Sequence, residues 1–66
     1  MKIKDLYPYL SAGTTIILSD KNDFPFLKSR NETEILRYGE QEITEESIYV
    51  ANSVMGIKLK NYKWEE

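Results

Sequence analysis

"TTIILSD", residues 14–20, is rich in β-branched side chains, which predicts a β-strand. Side chains alternate between the two faces of a strand, so Ile16 and Leu18 face one side while Thr15 and Ile17 face the other. Apolar residues on both sides indicate a strand with neighbours rather than a strand at the rim. We therefore place this stretch at the centre of a sheet and assign the rest of the chain around it.

Two hairpins are predicted around this strand. The turn "DKND" (20–23) suits unusual backbone angles, and it leads into a second strand, "FPFLKS" (24–29). Pro25 argues that this second strand lies at an edge, because proline cannot donate a ladder hydrogen bond. Further along, "ESIYVA" (46–51) and "VMGIKLKN" (54–61) alternate apolar and polar residues and are joined by the tight connection "ANS".

A short helix is expected before the first hairpin. Apolar residues at i, i+3, i+4 and i+7 define one helix face: Ile3, Leu6, Tyr7 and Leu10. Pro8 lacks an N–H group, so we expect this helix to be short and kinked. It should end near "SAG", where Gly13 can adopt the left-handed conformation.

A second short helix is expected between the hairpins, within "NETEILRYGEQEI" (31–43). Asn31 can cap it, and Glu34 stands three positions on, as in a capping box. Glu32 and Glu34 lie in the first turn, where acidic groups favour the positive end of the helix dipole. Gly39 is expected to end the helix.

These elements predict a single domain spanning residues 1–66 with an α+β fold. The order is α-β-β-α-β-β, with an antiparallel or mixed sheet packed by short helices. A chain of 66 residues is marginal in size, since such a domain buries only about 60% of its unfolded surface. There is no cysteine for a disulfide and no histidine for a metal site. We therefore expect a homo-oligomer.

Charge is unevenly distributed along the chain. Residues 31–50 carry six glutamates against one arginine, while the whole chain has a net charge of −2. A duplex-binding domain would show clustered lysine and arginine, so we expect no binding to duplex nucleic acid. No apolar run is long enough for a signal peptide or a membrane span. We expect a cytoplasmic protein with no membrane partner.

Catalytic chemistry is largely excluded by the side chains present. Without histidine or cysteine, the usual nucleophile–base pairs cannot form. Glu45 and Glu46 are adjacent, and adjacent residues on a strand face opposite sides, so they are interpreted as solvated charges. The turn "DKND" resembles a calcium loop, but Phe24 occupies a ligand position and the later ligands are missing. We expect no enzyme activity, no metal and no cofactor.

Aromatic residues make up 12% of the chain and point to binding. Tyrosine, tryptophan and arginine are favoured at interfaces because they combine apolar area with a polar tip. Tyr38 beside Arg37, Tyr49 on the polar side of its strand, and Tyr62 with Trp64 in the tail are the candidates. The alternative is structural: Tyr62 and Trp64 would close an open end of the sheet.

Several segments resemble a recurrent type of short protein encoded by bacteriophages of Gram-positive bacteria. The similar segments are "IKDLYPYL", "TTIILSD", "ILRYGEQEI" and "SIYVANSVMGIKLKN". Such proteins commonly combine a Lys-Asp-Leu helix, a Thr-rich strand ending in Asp and a Tyr-Gly-Asp/Glu-x-Glu segment before a final hairpin. Most are accessory or uncharacterised, and some small phage proteins of this size inhibit host defences. The resemblance transfers no catalytic or ligand residue.

These observations lead to the hypothesis of a phage-encoded, non-enzymatic counter-defence protein. In one mechanism, a homo-oligomer sequesters a small nucleotide signal of the host, with aromatic rings on the base and cations on the phosphates. The residues predicted for that ligand are Lys28, Arg30, Arg37, Tyr38 and Tyr49.

Two alternatives remain open. An anti-CRISPR-like inhibitor would dock the acidic 31–50 segment on a basic surface of a host defence protein. The residues predicted for this protein interface are Glu40, Glu42, Glu45, Glu46, Tyr62 and Trp64. The second alternative is a phage structural or regulatory adaptor.

Overall fold

The predicted central strand is confirmed in the computed structural model, which describes residues 1–10 and 13–64. Strand β1, Thr15–Ser19, pairs antiparallel with β2, Pro25–Ser29, and parallel with β4, Val54–Lys58. Strand β3, Tyr49–Ala51, pairs antiparallel with β4, giving the order β2-β1-β4-β3. The α+β fold is confirmed, and the sheet is mixed. Pro25 begins an edge strand, as its missing N–H requires.

The helices are shorter than their patterns suggest. Helix α1 spans Ile3–Leu6 and passes directly into a 3₁₀ turn, Tyr7–Tyr9, with proline in its first positions. The expected kink is thus a change of helix type at Pro8, where an α-helix would need the missing donor. Gly13 has the left-handed φ of +88°, while Ser11 and Ala12, where this helix was expected to end, lie outside the described residues.

Helix α2 spans Glu32–Leu36, and the predicted cap is confirmed: Asn31 Oδ1 accepts the Glu34 N–H at 3.2 Å. The expected role of Gly39 is wrong, because the helix ends before it and, of the described glycines, Gly13 alone has a positive φ. Gly39 is instead buried beneath α1. The Lys4 N–H donates to its carbonyl at 3.1 Å, and a Cβ there would lie 3.0 Å from the Leu36 carbonyl oxygen.

One face of the sheet carries the core. Both α-helices contribute to it, and every described buried apolar side chain belongs to one cluster: Ile3, Ile16, Leu18, Ile35, Ile43, Ile57 and Leu59. Residues paired across strands share a face, so the opposite face is formed by the positions between them. That open face includes Ile17 and its registered neighbours Lys28 and Gly56, and then Tyr49 beyond Gly56.

The acidic segment differs from its prediction. "ESIYVA" is not a strand throughout, because Glu45–Ser47 forms a 3₁₀ turn and β3 begins at Tyr49. The opposite-face argument for Glu45 and Glu46 therefore does not apply to these residues. Ile43, expected at the end of a helical segment, is buried and pairs with Leu59 as an isolated bridge.

Backbone hydrogen bonds hold residues 39–43 against the N-terminal segment. The Ile3 N–H donates to the Gln41 carbonyl at 3.2 Å, and the Ile43 N–H donates to the Met1 carbonyl at 2.9 Å. Within residues 1–10 and 13–64, no helix has the length and apolar character needed to cross a membrane.

Candidate functional site

A cleft of about 460 Å³ opens where three parts of the chain meet. They are the 3₁₀ turn after α1, the chain just before β1, and the junction between β2 and α2. A volume of this size lies within the range of small-molecule sites, roughly 300–1,000 Å³. We call it the Arg30 cleft, and it is lined by Tyr7, Pro8, Leu10, Gly13, Thr14, Arg30 and Glu32.

Local hydrogen bonds set the position of Arg30 at the rim of this cleft. Ser29, the last residue of β2, accepts the Asn31 N–H on its Oγ at 2.9 Å, and Asn31 then caps α2. The chain therefore turns sharply from strand to helix, and Arg30 and Glu32 both line the cleft. Tyr7 also lines the cleft; it is half-buried and packs against the core.

The Arg30 cleft combines a cation, an aromatic ring and hydrogen-bonding groups. Arg30 is exposed and forms no ion pair with any carboxylate that the structure describes. A guanidinium group in this state can meet a phosphate with two parallel hydrogen bonds. Tyr7 supplies a ring, Thr14 a hydroxyl group, and Glu32 an acceptor for hydroxyl or amino groups.

Two of the other predicted ligand residues lie on the open face of the sheet. Lys28 and Tyr49 occupy opposite ends of one cross-strand row, with Ile17 and Gly56 between them. Three strand spacings of about 4.8 Å put their Cα atoms roughly 14 Å apart. The Tyr49 ring covers Gly56, where even a methyl group would collide with it, yet 56% of the residue stays exposed.

Arg37 and Tyr38 do not act side by side. Arg37 is exposed just after α2, whereas the Tyr38 ring packs into a cluster of four aromatic rings. Its ring centroid lies 5.2 Å from that of Phe26 and 5.6 Å from that of Tyr62. The five predicted ligand residues therefore lie in separate parts of one chain: the Arg30 cleft, the open face, the end of α2 and the aromatic cluster. Two of the five line described clefts beside an aromatic ring: Arg30 lines the Arg30 cleft with Tyr7, and Lys28 lines a smaller cleft of about 320 Å³ with Phe26.

The tail residues predicted for a protein interface belong to the same aromatic cluster. The Trp64 ring stacks on Phe26 at 5.3 Å with 8° between their planes, and Tyr62 lies 5.0 Å from Phe26. Both tail residues are half-buried, and Tyr62 packs against the core. In this chain they close one end of the sheet, which matches the structural alternative.

Asp20 holds this tail to the first hairpin. One carboxylate oxygen accepts the N–H groups of Asn22 at 2.8 Å and Phe24 at 3.0 Å, and the other accepts that of Trp64 at 3.0 Å. Burial alone would raise the Asp20 pKa, but these three donors and nearby Lys63 stabilise the charged form, so the pKa lies below its usual value. The turn "DKND" is thus a hairpin turn built on Asp20.

Most of the predicted acidic interface is used within the chain. Glu40 pairs with the Nζ of Lys4 at 2.7 Å, and Glu42 pairs with the α-amino group of Met1 at 3.1 Å. Glu45 also approaches that α-amino group, at 3.7 Å. Of the four predicted glutamates, Glu46 alone forms no ion pair within the described chain. These carboxylates hold the N-terminal segment against residues 40–45.

Titration of the Lys4–Glu40 pair reflects this contact. The hydrogen bond from Lys4, together with the charges of Lys2 and Lys4, holds the Glu40 pKa below its usual value. The same hydrogen bond and the Glu40 charge raise the pKa of Lys4. Both directions agree that the pair is charged at neutral pH.

Six of the seven residues that line the Arg30 cleft were absent from the sequence-based site. Three of the six offer a ring, a hydroxyl group or a carboxylate to a ligand: Tyr7, Thr14 and Glu32. In the sequence they belong to a helix face, a strand start and the first turn of a helix, and no local pattern marks their convergence with Arg30.

Among the described residues, no group of three or more acidic side chains could hold a metal ion. No protein-family model, no curated protein and no solved structure matches the chain.

Proposed function

We propose that this protein is a non-enzymatic binding protein that takes a small nucleotide in the Arg30 cleft. The observation that carries this proposal is an arginine that pairs with no carboxylate among the described residues, in a cleft that a tyrosine ring also lines. A ligand with a phosphate and a flat base would use both groups at once. The acidic stretch offers less support for protein docking, because three of its four predicted glutamates already have partners.

Four of the lining residues then have distinct roles. Arg30 meets a phosphate, and the Tyr7 ring packs against the base, since stacking contributes about 1–3 kcal/mol per base in single-strand complexes. Thr14 donates or accepts at the sugar. Glu32 accepts hydrogen bonds from sugar hydroxyl or base amino groups, and its charge disfavours ligands that carry phosphates at both ends.

The biological role within this proposal follows from the resemblance to short phage proteins. A chain that binds a nucleotide without transforming it acts by lowering the free concentration of that nucleotide. In an infected bacterial cell, such sequestration would silence a host defence that uses a nucleotide signal. The number of binding sites must then match the number of signal molecules, so this function requires abundant protein and a dissociation constant below the concentration of the signal.

Isothermal titration calorimetry with a panel of mononucleotides and cyclic nucleotides tests the proposal, with inorganic phosphate as a fragment control. Replacing Arg30 by glutamine should weaken binding by about 10- to 100-fold, because hydrogen bonds to charged groups contribute roughly 1.5–3 kcal/mol. Arg37→Gln is the matched control. Arg37 is also exposed and without a described ion pair, but it lies outside the cleft.

A second variant separates stacking from charge. Tyr7→Leu keeps an apolar side chain against the core but removes the ring. It should therefore lower the affinity for nucleotides and leave the weaker affinity for inorganic phosphate unchanged. Failure of every nucleotide to bind, or equal affinities for the Arg30→Gln and Arg37→Gln variants, would contradict the proposal. Conversion of a bound nucleotide during the titration would contradict its non-enzymatic part.

A further inference from the structure

The two edges of the sheet are protected to different degrees. The β2 edge begins with Pro25, carries Lys28 and has an irregular register against β1 between Leu18 and Ser19. Proline, lysine and bulges are common devices against edge-to-edge pairing. The β3 edge has none of them: its three residues, Tyr49–Ala51, are uncharged and exposed, and Val50 is 64% exposed.

The backbone groups of Val50 point out of this edge. Asn52 and Ser53 have φ values of 48° and 67° and form a two-residue hairpin loop, so the flanking pair, Ala51 and Val54, exchanges hydrogen bonds. The next pair, Val50 and Met55, then exchanges no hydrogen bonds, so the N–H and carbonyl groups of Val50 point away from β4. On the far side, the Thr15 N–H donates to the Ser53 carbonyl at 2.9 Å, consistent with Val54 facing β3.

We infer that the β3 edge pairs antiparallel, about Val50, with the β3 edge of a second copy of this chain. In that register, Val50 lies on the twofold axis and exchanges two hydrogen bonds with its symmetry mate. Tyr49 lies opposite Ala51, a large side chain against a small one, on both sides of the axis. No like charges meet, because residues 47–53 contain no charged side chain.

A second copy fits this edge better than an unrelated strand because the edge is self-complementary in both size and charge. The pairing is also short. The Ile48 N–H is already donated to the Glu45 carbonyl at 3.2 Å, so the available ladder is confined to the neighbourhood of Val50. Such an edge buries far less than the roughly 1,200–2,000 Å² of a stable interface, so the dimer is weak and concentration-dependent.

Disulfide cross-linking tests the pairing and its register, because the chain has no native cysteine. In the Val50→Cys variant, the two new Cα atoms would be about 5.5 Å apart, within the range of a disulfide. In Ala51→Cys they would be roughly 8 Å apart, two residues along the strand and one strand spacing across, which is too far. Both positions are exposed, so random collisions favour neither.

Under a mild oxidant, Val50→Cys should form the linked dimer on the order of tenfold faster than Ala51→Cys, since paired thiols react at a local concentration near millimolar. Equal rates would overturn the inference. Sedimentation of the native chain should show a dimer that grows with concentration and is lost in Val50→Lys. A native chain that stays monomeric at millimolar concentration, as expected if this edge serves a different protein, would also overturn it.

This inference does not depend on nucleotide binding. Val50→Lys should bind nucleotide as the native chain does, and Arg30→Gln should dimerise normally. Circular dichroism confirms that each variant is folded, which is expected because Val50 and Arg30 are both exposed.

Discussion

Replacing Ile43 by alanine tests whether residues 39–43 belong to the core. Ile43 is 4% exposed, packs in the central cluster and bridges to Leu59, while its N–H is bonded to Met1. Truncation of a buried isoleucine to alanine costs about 2–5 kcal/mol, because apolar contacts are lost and a cavity remains. A domain of this length has a total unfolding free energy of roughly 3–10 kcal/mol. The substitution should therefore remove a large part of the stability.

A loss of about 3 kcal/mol corresponds to a fall in melting temperature of roughly 12–24 °C for a domain of this size. Urea unfolding, followed by Trp64 fluorescence and by circular dichroism, measures the change. Ile43→Val should cost only about 0.5–1.5 kcal/mol. Tyr9→Ala is the control, because Tyr9 is 85% exposed and such surface changes stay within about 0.5 kcal/mol. If Ile43→Ala lowers the midpoint no more than Tyr9→Ala, the assignment of this segment to the core is wrong.

Three further substitutions probe contacts outside the Arg30 cleft. The Asp20 pKa is lowered on folding, so its contribution to folding stability is present above its unfolded pKa, near 3.9, and is lost as the pH falls below that value. Asp20→Asn should free the Trp64 tail at neutral pH and flatten this dependence of stability on acid pH. Trp64 fluorescence measures both effects. Gly39→Ala should cost about 1–3 kcal/mol in urea unfolding, since the new Cβ presses on a carbonyl oxygen, and a more stable variant would refute this contact. Glu40→Gln should lower the melting temperature slightly, and less so in high salt, because the Lys4 pair is exposed to solvent; a salt-independent loss would argue against an ionic origin.

Alternation and turn chemistry were sufficient to predict the four strands and two hairpins. Ile16 and Leu18 share one face of their strand as expected, and that face is buried; Pro25 begins an edge strand, and Asn31 caps its helix. These features depend on residues that are close in sequence. The parallel pairing of β1 with β4 could not be predicted, because its partners are some 39 positions apart and no local preference selects them.

The errors have local physical causes. The predicted strand begins too early, because Glu45–Ser47 forms a 3₁₀ turn just before β3. The alternation of Ile48 to Val50 does not show where the strand starts. Gly39 is needed for close backbone approach rather than for a left-handed angle, and the two uses of glycine look alike in sequence. Of the Arg30 cleft, only Arg30 itself was predicted as a ligand residue, since Tyr7 and Arg30 are brought together by the tertiary fold and share no motif.

The distribution of ion pairs bears on whether this acidic chain could bind the anionic ligand that we propose. Net charge is −2, but Glu40, Glu42 and Glu45 are neutralised by the N-terminal amino group and by the first two lysines. Both arginines stay without an ion pair in the part of the chain that the structure describes. Because exposed charges beyond a Debye length of about 8 Å are screened at physiological salt, a ligand in the Arg30 cleft responds to nearby groups and not to the net charge. Glu32 is a negatively charged group that lines the cleft itself. A ligand with one phosphate and a hydrogen-bonding base therefore suits the cleft better than one with phosphates at both ends.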